Sequence, residues 1–318
     1  MSEPAGFPSQ AHIYGPVPSR RLGYSLGVDI LPYKTCTLDC IYCQLGTTSE
    51  TTDRAGCFFE EQELLSQIQA AVTSSQGRID YITFSGSGEP TLNAGLGSLI
   101  HKIKAMTDIP VAVLTNSTRL TREEVRQALR EADLVIPSLD AATPDVFERV
   151  NRPHASLDIR DIIQSLILFR REFRGRFWLE VMLVAGINDA PDHIRELKEA
   201  ADAIHPDKIQ INTVVRPPAE GYARPLTPER MEEIRMIFGP KAEIIADFVR
   251  EPRLSGREAV GAAIVDLVKR RPATLNDLAN SLGLHRNEII KHLDLLRKDG
   301  KIRIVSHKGR QYYEPSGD

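Results

Sequence analysis

Three cysteines lie close together, Cys36, Cys40 and Cys43 in the run TCTLDCIYCQLG, with an aromatic residue, Tyr42, just before the last. Their spacing is C-x3-C-x2-C. Three thiolates on one loop can hold three corners of a cubane [4Fe–4S] cluster. Such clusters normally take four cysteines, so a site with three leaves one iron open to a small molecule. The competing occupant is a structural zinc ion. Zinc asks for a fourth ligand and usually for paired C-x2-C units, and the sequence has no second pair. Cys57, fourteen residues beyond Cys43, lies outside the pattern. It reads as a separate thiol, with a fourth-ligand or radical-chemistry role as the sharper alternative.

A ligand loop needs a frame, and alternating strand and helix patterns supply one. YSLGVDILP leads directly into the cysteines and reads as a first strand, after a Pro- and Gly-rich start expected to be an extended arm. A helical pattern spans residues 60–72, with Leu64, Leu65, Ile68 and Val72 at helical spacing. Further strands are predicted over residues 79–86, 111–116, 133–140, 176–186 and 207–215, and AEIIADF offers one more. Thr121, three residues before Glu124, predicts a capped helix start. Repeated βα units give a parallel sheet with right-handed crossovers, and α/β folds put their chemistry at the C-terminal strand ends. The cysteine loop follows such an end.

The other strand ends are polar. Gly86-Ser87-Gly88-Glu89-Pro90 follows the second strand; its glycines let backbone approach a ligand, and Glu89 can accept hydrogen bonds from an ammonium group. A tight turn with a helix-start Glu is the plain alternative. Asn116 ends the third strand. Ser138 and Asp140 end the fourth, where they could equally cap the helix expected near Thr143. Gly186-Ile187-Asn188-Asp189 follows the fifth. Arg20, Arg21 and Lys34 flank the cysteine loop and could face an anion, as could Arg216 and Tyr222 in the loop after the sixth strand; solvated surface or linker positions explain each equally well.

The run C-x3-C-x-Φ-C resembles the signature of radical S-adenosylmethionine (SAM) enzymes. The resemblance implies a partial (βα)6 barrel with an open iron that binds the amino and carboxylate groups of SAM and Tyr42 near the adenine. It also implies that one electron cleaves SAM to methionine and a 5′-deoxyadenosyl radical. Gly86, Gly88 and Glu89 would correspond to the family's GGE-type motif, here interrupted by Ser87, which holds the SAM amino group. Asn116, Ser138 and Asp140 would reach its methionine or ribose, and Asn188 would lie in the adenine-side turn. A flavodoxin- or ferredoxin-type electron donor is implied as well. GPVPSRRLGYSLGVDILPYKTCTLDCIYCQLG is similar to the group containing the tRNA wybutosine-synthesis enzyme, and LTNS, SLDA and GIND look like the molybdenum-cofactor cyclising enzymes. The wybutosine enzymes carry additional cysteines for a second cluster, a set this sequence lacks.

Composition bounds the rest. The chain has 318 residues and a net charge of -3, is 42% hydrophobic, and has no apolar run of about eighteen residues that would span a membrane. Neither a secretory leader nor a disulfide framework is legible, and the cytoplasm is expected. From about Ser255 the pattern changes to three amphipathic helices and a hairpin around Lys308-Gly309, resembling a winged helix-turn-helix. We therefore expect a radical SAM unit over 1–254 and a winged unit over 255–318. The second holds twelve Lys/Arg and eight Asp/Glu; His285, Arg286, Lys291, His292, Lys308 and Arg310 would face any nucleic acid. Docking to a protein partner or to the barrel itself fits this modest excess as well. The leading expectation is hydrogen abstraction from an unidentified substrate, tRNA or another macromolecule included. A DNA-binding, redox-sensing iron–sulfur regulator is the alternative. A chain ending near Leu254 should retain SAM cleavage if the C-terminal unit only recruits substrate.

Overall fold

The computed structural model describes residues 12–19, 21–48, 51–75, 79–245, 257–282, 284, 286–307 and 310–316. Arg20, His285 and Lys308 therefore lie outside the described residues, as do the side chains of Arg286 and Lys291.

Strand β1 (Ile13–Ser19) pairs antiparallel with β2 (Gly23–Val28). The expected N-terminal arm is thus, over this stretch, a sheet strand. Its pairing covers what would otherwise be an open edge of β2. After the cysteine loop come helix α1 (Glu61–Ser74), β3 (Tyr81–Phe84), α2 (Leu96–Met106), β4 (Val111–Thr115) and α3 (Glu123–Leu129). β5 (Leu134–Pro137) is followed by α4 (Pro144–Asn151) and α5 (Ile159–Glu172). Then β6 (Arg176–Leu183), α6 (Pro191–Ile204), β7 (Lys208–Thr213), α7 (Pro228–Phe238) and β8 (Ala242–Ile244) complete the sheet. Its order is β1 through β8 in sequence, β2 to β8 all parallel, and no described pairing returns from β8 to β1. The six expected parallel strands and the additional one are all present. The capped start at Thr121 is not: Thr121 closes a 3-10 turn over Thr118–Thr121, its hydroxyl turned back to the Thr118 carbonyl, and α3 begins two residues later without a side-chain cap.

Strand periodicity assigns the two faces of the sheet. Leu26, Val28, Ile82, Phe84, Val111, Val113, Leu179, Val181, Ile209 and Ile211 alternate onto one face and are buried in the main core with the helices. The intervening residues turn the other way. There Ser25, Thr83, Glu180, Met182 and Asn212 line a cavity of about 1120 Å³, beside a small apolar group that includes Leu22, Ala112, Leu134, Ile136 and Trp178. One face of the sheet is hydrocarbon packing and the other is polar chemistry.

Helices α8 (Arg257–Arg270), α9 (Leu275–Leu282) and α10 (Arg286–Lys298) precede a hairpin of β9 (Ile302–His307) and β10 (Arg310–Pro315). These elements have their own core, in which Val260, Ile264, Leu278, Ile289, Leu293 and Ile302 meet. On α10 the buried positions are Ile289, His292, Leu293 and Leu296, while Ile290 is 39% exposed. The inward set repeats at i, i+3, i+4 and i+7; Ile290 lies about 100° round the helix from Ile289. His292 is thus a core residue rather than a surface contact, contrary to the sequence expectation.

No helix among the described residues is long and apolar enough to cross a membrane.

Candidate functional site

The cysteine loop runs from the end of β2 across the mouth of the cavity, and all three of its cysteines line that cavity. None is in a disulfide. Each sulfur receives a nitrogen donor from a different part of the chain: Asn116 Nδ2 at 3.5 Å from Cys36 Sγ, Asn151 Nδ2 at 3.3 Å from Cys40 Sγ, and Lys34 Nζ at 3.3 Å from Cys43 Sγ. Burial pushes the Cys36 thiol up to about 12, with the Glu89 carboxylate adding to the effect, and holds Cys40 well above its usual range. Burial thus favours the protonated thiol at Cys36 and Cys40. A metal group that takes the thiolates must displace those protons, and the nitrogen donors then stabilise the charge on sulfur.

Among the described residues no group of three or more Cys, His, Asp or Glu side chains is drawn together as single-ion binding requires. The zinc alternative asks for tetrahedral closure around one ion, with sulfurs about 2.3 Å from it. A cubane takes one thiolate at each iron corner and needs no such convergence. Three thiols on one wall, each with a nitrogen donor, fit a cluster bound by three cysteines.

Across the mouth lies the turn after β3. Gly86 packs against the Asp29 carboxylate and Gly88 against the Thr35 carbonyl, each occupying space that a Cβ would need. Backbone bonds from Lys34 N to Ser87 O (2.7 Å) and from Glu89 N to Thr35 O (3.0 Å) join this turn to the start of the cysteine loop. Lys34 itself adopts a left-handed backbone, φ 61°. That conformation sets its amide on Ser87 while its ammonium reaches Cys43.

Glu89 lines the cavity but is 2% exposed. Its Oε1 accepts from Thr91 N, Thr91 Oγ1 and Thr115 Oγ1, and its Oε2 from Asn116 N at 2.7 Å. Burial raises its pKa while these donors pull it back. Glu89 caps the short turn over Pro90–Leu92, as the plainer sequence reading has it, and its Oε2 has one protein donor, Asn116 N, among the described contacts.

The remaining candidates divide into cavity residues and supports. Tyr42, Gly86, Gly88, Asn116 and Ser138 line the cavity. Asn116 is also a brace: besides Cys36 it donates to Thr37 Oγ1 at 2.8 Å, and it accepts from Thr118. Asp140 is not on the cavity wall. It is buried, accepting from Tyr42 Oη, from Asn151 Nδ2 at 2.9 Å and from Met182 N at 2.9 Å, and burial pushes its pKa up to about 6. Asn188 is fully buried and serves its own turn, accepting from Val184 N and donating to the Asp140 and Met182 carbonyls. Their side chains hold the loop and the turn from behind. Cys57 is exposed and does not line the cavity.

Several residues of the site carry no short motif. Asn151 lies more than a hundred residues from Cys40 yet links Cys40 to Asp140. Arg21 and Glu180 form a 2.7 Å ion pair inside the cavity, and Asn212 donates to the same Glu. Arg152 holds both Asp39 of the cysteine loop and Glu220 of the loop after β7, and donates to Tyr222 Oη. A polar residue at an inward strand position was the signal for Glu180 and Asn212; Asn151 and Arg152 gave none. Of the cations that the sequence offered for an anion, Arg21, Lys34 and Arg216 line the cavity, and so does Arg310, which was expected to face nucleic acid.

A sequence-family profile described as the radical SAM superfamily matches residues 30–205. A protein of Methanocaldococcus jannaschii named UPF0026 protein MJ1312 is 30% identical, with 94% of each chain covered. A Helicobacter pylori UPF0026 protein is 30% identical over 95% of this chain and 96% of that protein. A Brachyspira hyodysenteriae protein named GTPase Obg is 37% identical over 92% of this chain, but this chain spans only 43% of its length. The sequence contains no G-x4-G-K-S/T phosphate loop. Among solved structures, a radical SAM methyltransferase from Sphaerobacter thermophilus aligns with a TM-score of 0.53 at 18% identity, covering 69% of this chain and 65% of that one. SuiB of Streptococcus suis, solved with SAM bound, aligns at 0.50 and 12% identity, covering 72% and 53%. The chain belongs to the radical SAM superfamily, whose members bind a [4Fe–4S] cluster and SAM.

Proposed function

We propose that the protein is a SAM-cleaving enzyme in which Cys36, Cys40 and Cys43 hold the cluster and the Gly86–Glu89 turn receives the amino group of SAM. Its substrate would lie deeper in the cavity, toward Ser25, Thr83 and the Arg21–Glu180 pair. The observation that carries this reading is that the three thiols and the glycine turn open onto one cavity. When bound, the cluster and SAM together supply an electron and a carbon radical able to remove hydrogen from an unactivated position.

The chain's own residues do the positioning. Asn116, Asn151 and Lys34 donate to the thiolates; Glu89 offers Oε2 to the SAM ammonium; Asn116 and Ser138 face the cavity at the strand ends. Tyr42, tied to Asp140, fixes one wall beside the cysteines. A flavodoxin- or ferredoxin-type donor would deliver the electron, in the cytoplasm, where free thiols stay reduced. We read the unit from α8 to β10 as a winged helix-turn-helix, supported by three helices followed by a hairpin. Its roles open to test are contact with nucleic acid, with a protein partner, or with the barrel.

The test is anaerobic cluster reconstitution followed by dithionite reduction in the presence of SAM. Formation of 5′-deoxyadenosine by wild type, abolished in Cys36→Ala, Cys40→Ala and Cys43→Ala, supports the assignment. A loaded cluster with neither SAM binding nor product rejects it. A second reading, methyl transfer, draws on a relative in Thermotoga maritima named probable dual-specificity RNA methyltransferase RlmN, 26% identical over 66% of this chain and 61% of that one. In the same assay with RNA added, S-adenosylhomocysteine would signal methyl transfer from SAM.

A further inference from the structure

We infer that the C-terminal unit is a built part of the catalytic chamber and that Arg270, at the end of α8, is a positioning residue for the SAM-binding turn. This rests on the assignment of SAM to residues 86–89.

Two separate paths run from Arg270 to that turn. On the first, Arg270 Nη1 lies 3.3 Å from Asp29 Oδ2, and the same Asp29 oxygen accepts from Ser87 N at 3.1 Å and Ser87 Oγ at 2.5 Å. Asp29 also accepts from Leu31 N, and Gly86 is pressed against its carboxylate. On the second, the Arg270 guanidinium stacks 4.3 Å from the centroid of the Tyr14 ring, whose hydroxyl lies 2.9 Å from Ser85 Oγ. The Tyr14 ring fills the space over Gly27 that a side chain would otherwise occupy. Arg270 thus braces residues 85 to 87 through a carboxylate on one side and an aromatic ring on the other.

The physical need is clear from burial. Asp29 is 8% exposed, and a carboxylate so placed requires charged compensation as well as amide donors. Without the guanidinium the carboxylate would be free to turn toward water, and Ser87 would lose its anchor. The α8–β10 unit is seated by further contacts: Arg216 Nη1 donates to the Pro272 carbonyl at 3.0 Å, and Tyr312 Oη to the Val215 carbonyl at 2.5 Å. Arg270, Arg271, Asp277, Arg310 and Tyr312 line the same cavity as the cysteines. A unit serving only as a remote recruitment module has no reason to contribute this wall. Removing residues 255–318 would therefore impair SAM binding itself, unlike the outcome expected of a unit that only recruits substrate.

The experiment uses the full chain, cluster-reconstituted under anaerobic conditions, in wild type, Arg270→Ala, Arg270→Lys, Asp29→Asn, the Arg270→Ala/Asp29→Asn double variant, and Arg303→Ala as a control on the exposed hairpin pair with Glu314. Equilibrium binding of SAM and hydrogen exchange of the segment around Ser87 are measured, the latter also without cluster. Arg270→Ala should weaken SAM binding about tenfold, as loss of a supporting contact behind a ligand typically does, and should speed exchange at Ser87. Lys should restore part of both, and the double variant should lose less than the sum of the two single losses, since the two residues share the Asp29 path while the Tyr14 path belongs to Arg270 alone. Arg303→Ala should match wild type. Wild-type SAM affinity and unchanged Ser87 exchange in a folded, cluster-loaded Arg270→Ala protein would overturn the inference. So would strictly additive losses in the double variant. If wild type loads its cluster but binds no SAM, the assignment of the turn fails, and the exchange data alone then decide whether Arg270 braces it.

Discussion

The two walls of the cavity are held by different physics. The cysteine wall is set by buried, mostly neutral groups, with Asn116, Asn151, Thr37 and Thr118 bonded among themselves and to the sulfurs, and Asp140 behind them. The wall contributed by the α8–β10 unit is seated by arginines: Arg216 on a carbonyl and Arg270 on a carboxylate and a ring. Neutral buried bonds carry no charge for salt to screen and are costly to break, whereas the charged contacts of the second wall keep a dependence on ionic strength, a weak one at their burial. The difference implies a rigid cluster-binding wall and a wall whose hold responds to ionic conditions.

The comparison breaks first at the sulfurs. Replacing any one of Cys36, Cys40 or Cys43 by Ala should take iron and sulfide content after reconstitution to background, because two thiolates cannot retain the cubane; retention of a full [4Fe–4S] cluster in any single variant would show that another group ligates it.

Behind the sulfurs, Asp140 should imprint a pH dependence on the cluster-free protein. Its folded pKa of about 6 lies above the ordinary value of 3.8, so the folded state holds the extra proton. The associated stability is complete below pH 3.8 and is lost as pH rises through about 6. That amounts to on the order of 3 kcal/mol. Denaturant unfolding of wild type and Asp140→Asn at pH 4 and pH 7 should show this slope in wild type and not in the variant. Parallel pH profiles would mean that Asp140 ionises normally.

A step smaller, Asn151→Ala removes the donor to Cys40 and to Asp140 together. Cluster retention against a competing chelator should fall about 10- to 100-fold, with a partial return in Asn151→Gln if the longer amide reaches either partner. Unaltered retention would assign Asn151 to packing alone.

The smallest effects belong to the α8–β10 wall. Arg216→Ala should cost about 1 kcal/mol or less and make protease sensitivity of the α8–β10 unit rise more steeply with salt than in wild type. A salt-independent loss of several kcal/mol would mean that this wall is held as the cysteine wall is, and the contrast between them would disappear.

The alternation of strands and helices was readable because each strand carries its hydrocarbon at every second position, and the C-x3-C-x2-C run because its members are adjacent in the chain. Element ends were less readable. Thr121 has the spacing of a helix cap, but its hydroxyl is captured by Thr118. β1 looked like a Pro-rich arm, since strand pairing there depends on an exposed edge of β2 that no local pattern announces. On α10 the sequence reading set His292 on the surface, whereas the helix period carries it inward with Ile289, Leu293 and Leu296.

What the sequence alone determined was chemistry held within short stretches: three thiols on a loop after a strand, a glycine turn with its Glu, and polar residues at successive strand ends. Backbone geometry over a few residues fixes such relations wherever the chain goes. Which of those residues face the cavity was decided by tertiary structure. Asp140 and Asn188 share strand-end positions with Ser138 and Asn116, yet packing turns them into the protein, where their hydrogen bonds go to neighbouring protein groups. Likewise Asn151 reaches Cys40 and Arg270 reaches Asp29, 241 residues away in sequence, only because separate helices pack against one sheet. A contact between side chains so far apart depends on the whole path of the backbone between them, and no local pattern encodes that path.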